Sequence, residues 1–138
     1  VAVGSCPVCR AAGSAWSVTV FLSMEDLLQL VEDLGVGPVR DLGLLESAAH
    51  RPTTTVYGRE VYDGLDLKAA VMMESLVRNH ALVDGNKRLT WLAAVVFYGL
   101  NAVEIQAPDD DAYELVVGMA AGEISAESAR VKLSSWHD

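Results

Sequence analysis

Apolar residues recur every three or four positions along most of the chain, a spacing that predicts amphipathic helices. The first helix begins after Ser23, which can cap it, and ends at Gly35. Its apolar face comprises Met24, Leu27, Leu28, Val31 and Leu34. A short second helix follows Asp41, and its apolar face comprises Leu42, Leu45, Ala48 and Ala49.

Four more helices are predicted in the second half of the chain. The third runs from about Asp66 to Asn79, and the fourth from about Asn86 to Gly99. The fourth is apolar on nearly every side, which is typical of a helix at the centre of a bundle. The fifth begins with Pro108 and the acidic residues that follow it, and the sixth is capped by Ser125.

The stretch from Arg51 to Tyr62 departs from this pattern. It contains Pro52, three consecutive threonines and Gly58, so we predict an extended flap that can close into a small hairpin. The predicted fold is therefore all-α, a compact bundle of about six helices with one short extended flap.

Composition and charge narrow the class of protein. The chain has 138 residues, of which 51% are hydrophobic, enough for one globular domain with a real core. It has 19 acidic and 10 basic residues, a net charge of −9, which argues against a general affinity for nucleic acid or anionic membranes. The sequence shows no secretory signal and no apolar run of the roughly 20 residues that span a bilayer. We therefore expect a cytoplasmic protein.

Residues 18–138 are expected to form the domain, and residues 1–17 a flexible tail. The tail contains Cys6 and Cys9, whose spacing could form a redox pair or half of a zinc site. Zinc needs four ligands and the chain has no second cysteine pair, so a pair of reduced thiols is the simpler interpretation.

The segment His80-Ala-Leu-Val-Asp-Gly-Asn-Lys-Arg88 carries the clearest functional signal. Residues 89–100 after it are almost all apolar, so a polar loop leads into a buried helix whose first main-chain amides attract anions. Three of the ten cations, Arg78, Lys87 and Arg88, lie within eleven positions. These features predict a phosphate-binding loop in which His80 accepts a proton and Asp84 holds a metal ion. An ordinary solvated basic surface is the alternative.

This segment resembles the motif of the Fic/Doc superfamily, specifically that of its death-on-curing (Doc) branch, which reads His-x-Phe-x-Asp-Gly/Ala-Asn-Lys-Arg. The resemblance covers about residues 19–136. Further segments that are similar to the branch are Arg40 to Ala48, Arg51-Pro52, Tyr57-Gly58, Phe97 to Asn101 and Val117 to Ser125.

The chain also departs from the superfamily's patterns. Leu82 replaces the phenylalanine of the motif, and Leu89-Thr90-Trp91 replaces its usual Thr-Ala continuation. The AMP-transferring members usually read Gly-Asn-Gly-Arg-x-x-Arg. In this chain Lys87 stands at the third of these positions and Trp91 at the last, which points away from AMP transfer.

The resemblance implies the toxin of a bacterial type II toxin–antitoxin pair. Doc-type toxins transfer the γ-phosphate of ATP to a protein hydroxyl, a threonine of elongation factor Tu, and so stop translation. Their partner is a Phd-like antitoxin whose C-terminal segment folds onto the toxin. Two alternatives stay open: a Fic-type AMP transferase acting on a protein hydroxyl, and an inactive scaffold that binds the antitoxin.

Within this mechanism each polar residue of the loop receives a role. His80 is the candidate general base, and Asp84 is the candidate ligand of Mg²⁺. The nucleotide-binding set comprises Arg78, Gly85, Asn86, Lys87 and Arg88, of which Lys87 and Arg88 also offset charge on the transferred group. Asn86 could instead cap the fourth helix, and Arg78 could form a surface salt bridge.

The flap is predicted to lie beside the site and to pair with the target protein through main-chain hydrogen bonds. It comprises Arg51, Pro52, Thr53, Thr54, Thr55, Val56, Tyr57 and Gly58.

Overall fold

Six helices and a two-stranded hairpin make up residues 18–138, the part of the chain that the computed structural model describes. The helices are α1 Met24–Leu34, α2 Leu42–His50, α3 Leu65–Asn79, α4 Asn86–Leu100, α5 Asp109–Ala120 and α6 Ala126–Ser134. The antiparallel strands are β1 Thr55–Val56 and β2 Arg59–Glu60, and a 3-10 helix, Arg51–Thr53, precedes them. The predicted all-α bundle with a short extended flap is confirmed. The predictions for residues 1–17, including Cys6 and Cys9, concern residues outside this described part.

Helix ends lie where capping residues predict them. The Ser23 hydroxyl accepts a hydrogen bond from the amide of Asp26, and the Asp26 carboxylate accepts one from the amide of Ser23. Gly35 ends α1 at a φ of 67°, a left-handed conformation that costs a residue without a Cβ little. The side chains of Asp41 and Ser125 cap α2 and α6. Hydrogen bonds between residues only three positions apart therefore fix these helix ends.

Helix α3 lies at the centre of the bundle, where it packs against α2, α4, α5 and α6. Nearly every side chain from Lys68 to Val77 is buried. The prediction that placed α4 at the centre is wrong. One side of α4 is open to solvent around Val95, which is 38% exposed. The apolar residues of α4 thus face both the core and a surface that is open to solvent.

Polar side chains on α3 anchor the flap. The buried Lys68 donates through Nζ to the Glu60 carboxylate at 2.9 Å and to the Tyr62 carbonyl at 2.8 Å. Arg51 donates through Nη1 to the Glu74 carboxylate at 2.9 Å and through Nε to the Tyr62 hydroxyl. Because charged groups hold both ends of the flap on α3, its base is fixed while its tip projects into solvent.

A second polar cluster attaches the C-terminal residues to the bundle. Asp66 Oδ1 lies 2.6 Å from both the Tyr98 hydroxyl and His137 Nε2. Burial, together with the hydrogen bond to Asp66, raises the pKa of Tyr98. Burial lowers the pKa of His137, but its bonds to Asp66 and to the Asp138 carbonyl outweigh burial and raise it. His137 is thus a structural residue, whereas His50 is exposed.

Candidate functional site

The predicted phosphate loop connects the end of α3 to the start of α4. His80 caps α3 with a φ of 51° and a ψ of 50°, and Gly85 precedes α4 with a φ of 94°. Both residues have left-handed backbones, which turn the chain sharply between the two helices. Leu82, which replaces the phenylalanine of the Doc motif, is buried and anchors the middle of the loop.

An extended segment between α1 and α2, residues 36–41, holds this loop from one side, and we call it the strap. Val39 pairs with Leu82 in an antiparallel bridge. On either side of that bridge, the Gly37 amide donates to the Asp84 carbonyl and the Val83 amide to the Pro38 carbonyl, both at 2.9 Å. The strap is not predicted by the sequence pattern. The end of the strap, Arg40 and Asp41, does belong to the segment from Arg40 to Ala48 that is similar to the Doc branch.

The loop and the strap meet most closely at Gly85. A Cβ atom placed on Gly85 would lie 2.4 Å from the Cβ of Val36, a distance at which one segment must move. The positive φ already disfavours any other residue at this position. Gly85 is thus required by the backbone conformation and by the packing.

Four predicted site residues, His80, Asp84, Lys87 and Arg88, present exposed side chains along this loop. Arg88 Nη2 lies 3.4 Å from Asp84 Oδ2, with the two side chains 61% and 79% exposed. An ion pair this exposed contributes only about 0–1 kcal/mol, so either partner can exchange to a ligand. No described side chain hydrogen-bonds the His80 imidazole, which is therefore available to a substrate.

The amino end of α4 adds main-chain donors to these side chains. Within residues 18–138 no side chain caps this helix, so its first amides point outward without a side-chain partner. Two cations, a carboxylate and unpaired amides form the donor set that a magnesium nucleotide requires, since Mg²⁺ is commonly held by one or two carboxylates plus phosphate oxygens. The residues present thus fit ATP with Mg²⁺. Within residues 18–138 no group of three or more His, Asp or Glu side chains is placed to hold a metal ion by itself.

Asn86 acts differently from both predictions for its side chain. Its Oδ1 accepts from the Leu82 amide at 3.1 Å, and its Nδ2 donates to the Leu82 carbonyl at 2.9 Å. The side chain thereby closes the loop on itself and neither caps α4 nor points outward as a ligand. The main-chain amide of Asn86 remains at the amino end of α4.

Arg78 also differs from its two predicted roles. Its Nε donates to the Met119 carbonyl at 3.3 Å, at the carboxyl end of α5, where the helix dipole attracts cations. It forms no salt bridge with any described residue. Arg78 therefore ties α3 to the turn after α5, and its assignment to the phosphates stays a prediction.

The flap is confirmed as a hairpin, but its boundaries need correction. Arg51 and Pro52 are half-buried and buried, respectively, and belong with Thr53 to the 3-10 helix that anchors the flap. They are therefore not available to pair with a target, because their contacts with α3 occupy them. The exposed part is residues 54–60, with a turn at Tyr57 and Gly58, whose φ angles are 52° and 74°.

An apolar groove of about 500 Å³ runs between α4 and α5, beginning at the loop. Trp91 forms part of its wall and packs edge-on against Trp136, with the ring centres 6.1 Å apart. Lys87, Arg88 and Asp109 supply its charged residues. The apolar lining comprises Leu34, Trp91, Leu92, Val95, Ala112, Tyr113, Val116 and Val117. None of the helices in residues 18–138 is long and apolar enough to cross a bilayer.

Comparison with known proteins agrees with this geometry. A family model described as Fic/DOC matches residues 19–98, which include the strap, the flap and the loop. The chain is also similar to "Toxin Doc" of Mycolicibacterium smegmatis, with 41% identity over 123 residues that cover 86% of this chain and 95% of that protein. The loop geometry, the family match and the length of this similarity together show that the chain belongs to the Fic/DOC family, in its death-on-curing branch.

Proposed function

We propose that this protein is the toxin of a type II toxin–antitoxin pair and a kinase that transfers the γ-phosphate of ATP to a protein serine or threonine. The observation that carries the proposal is one loop presenting an exposed imidazole, an exposed carboxylate, two cations and the uncapped amides of α4. The similarity to a protein named Toxin Doc supports it.

The loop residues suit this transfer because the reaction needs positioning and charge neutralisation more than covalent chemistry. When bound, ATP with Mg²⁺ supplies the phosphoryl group. His80 accepts the proton of the attacking hydroxyl, while Asp84 holds the metal ion. A bond forms between the hydroxyl oxygen and the γ-phosphorus as the bond to the β-phosphate oxygen breaks, and ADP leaves. Lys87 and Arg88 offset the negative charge on the transferred group.

From the resemblance to Doc toxins, the proposed target is a threonine of elongation factor Tu. The protein would then act in the cytoplasm and inhibit translation. The exposed hairpin offers a main-chain edge at residues 54–60 to such a target. Since Arg51 and Pro52 are held by α3, the flap meets the target with its tip and strands alone.

Phosphate transfer is favoured over AMP transfer by the groove wall. The last position of the AMP-transfer motif holds Trp91, whose ring packs on Trp136 and lines an apolar surface. A cation that could hold further phosphate oxygens is thus replaced by an apolar side chain.

Two labelled forms of ATP separate these reactions. We expect purified protein to transfer label from the γ position to elongation factor Tu, and none from the α position. Label transferred from the α position alone would rule out the kinase. Transfer from neither position, together with growth arrest that persists, would favour the inactive scaffold.

The antitoxin is proposed to be Phd-like and to place an amphipathic helix in the groove between α4 and α5. The groove is lined mainly by apolar side chains, and Lys87 and Arg88 lie at its loop end, where acidic residues of the helix would meet them. An occupant of this groove would cover both cations, so binding would also silence the site.

A charge placed in the groove tests this partner site. We expect Val95→Asp to weaken binding of the proposed Phd-like antitoxin by about 100-fold or more, because a carboxylate would be buried against apolar side chains. Val131→Asp, on α6 and 57% exposed outside the groove, is the matched control and should bind normally. Equal affinity of the two variants in calorimetry would place the antitoxin elsewhere.

A further inference from the structure

The main chain of His80 adopts a conformation that residues with a Cβ atom seldom adopt. A φ of 51° and a ψ of 50° place it in the left-handed region, where a Cβ atom is crowded by the backbone. Such conformations persist only where surrounding contacts hold them, and they concentrate at functional sites. Contacts with neighbouring residues must therefore hold the main chain of His80 in this conformation.

One strap residue, Arg40, supplies most of these contacts. Its guanidinium donates to the His80 carbonyl through Nε at 3.1 Å and through Nη2. Its main-chain amide donates to the next carbonyl, that of Ala81, at 2.6 Å. The amide of Asp41 donates to the same carbonyl at 3.1 Å. Two consecutive carbonyls of the loop are thus fixed in direction.

Arg40 is itself held in place. The following residue, Asp41, caps α2 through its carboxylate, so Arg40 sits at the rigid start of that helix. The preceding residue, Val39, pairs with Leu82. Arg130, another exposed arginine, contacts a carboxylate, that of Glu127, at 2.8 Å. Arg40 instead donates through two guanidinium nitrogens, Nε and Nη2, to one main-chain oxygen.

We propose that Arg40 is a positioning residue that sets the direction of the His80 imidazole. The φ and ψ of a residue set the direction of its Cα–Cβ bond relative to the neighbouring chain, and Arg40 fixes the peptide unit that defines the ψ of His80. Without this contact, His80 relaxes from the left-handed conformation and its imidazole moves away from the attacking hydroxyl. The role in transfer rests on the proposed kinase function, whereas the control of His80 geometry does not.

Three variants test the proposal. In Arg40→Gln we expect kcat to fall about 100-fold, the loss typical of a misplacement of about 1 Å, while the KM for ATP stays unchanged. Arg40→Lys keeps the charge but cannot donate to the His80 carbonyl through two nitrogens of a planar group. Its kcat should therefore lie between those of Arg40→Gln and the wild type. Arg130→Gln, which removes an exposed arginine from α6, is the matched control and should keep the wild-type kcat.

The NMR signals of the His80 ring provide a readout that needs no activity. We expect these signals to shift in both Arg40 variants and to stay in place in Arg130→Gln. Unshifted His80 signals in folded Arg40→Gln would overturn the proposal, as would a wild-type kcat in that variant. If kcat and the melting temperature fell and KM rose without a change in the His80 signals, Arg40 would be a structural cap and the proposal would also fail. A wild-type protein that transfers no phosphate would instead refute the kinase function, and the His80 signals would still decide the role of Arg40.

Discussion

A His80→Ala variant is expected to transfer phosphate about 10²–10⁴-fold more slowly than the wild type, the usual contribution of a placed general base. Its expression should no longer arrest growth. The folded state should tolerate the change, because the His80 side chain is exposed and none of the described residues hydrogen-bonds its ring. The rate is measured with γ-labelled ATP, and stability by thermal unfolding.

His50→Ala is the matched control, because His50 is also exposed and lies at the end of a helix, α2, outside the loop. We expect it to keep the wild-type transfer rate. Growth arrest that is unchanged in His80→Ala would contradict a catalytic role and support the scaffold alternative, in which binding alone acts.

A Gly85→Ala variant should lose both stability and activity. Its Cβ would lie 2.4 Å from that of Val36, so the strap and the loop must separate or the loop must change its turn. Strain at a positive φ costs about 1–3 kcal/mol. Overpacking against Val36 should add about 1–3 kcal/mol. We expect the transfer rate to fall with it, since the displaced strap carries the contacts of the His80 carbonyl.

Gly35→Ala separates strain from packing in urea unfolding. Gly35 also has a positive φ, 67°, but a Cβ placed there meets no atom within 4 Å. Its substitution should therefore show the backbone cost alone and keep the transfer rate. Equal losses of stability in the two variants would mean that the strap does not press on the loop.

The helices could be predicted because their signals are local. Ser23, Asp41 and Ser125 cap helices through bonds that span three residues, and Gly35 ends α1 within one turn. The centre of the bundle could not be predicted in this way. Apolar periodicity shows which residues avoid water, but it does not show whether a neighbouring helix or an open groove covers them, and α4 has both.

The site was predictable to a similar extent. The loop and its exposed polar residues follow from one continuous motif, and the structure brings Asp84, Lys87 and Arg88 together at the start of α4. The correct contacts of Arg78 and Arg51 could not be predicted from the sequence, because their partners lie 41 and 23 positions away.

The strap was missed for the same reason. Arg40 and His80 are 40 positions apart, and a pairing between distant extended segments leaves no periodic trace in either one. The tight contact of Val36 with Gly85 is likewise visible only in three dimensions.

The central claim is that the loop from His80 to Arg88 binds the phosphates of a magnesium nucleotide beside an available imidazole. A crystal structure with Mg²⁺ and a non-hydrolysable ATP analogue tests it most directly. The account predicts phosphate oxygens on the first amides of α4, the metal ion on Asp84, and the His80 ring facing the γ-phosphate. A nucleotide bound at another surface, or a His80 ring turned into the protein interior, would contradict it.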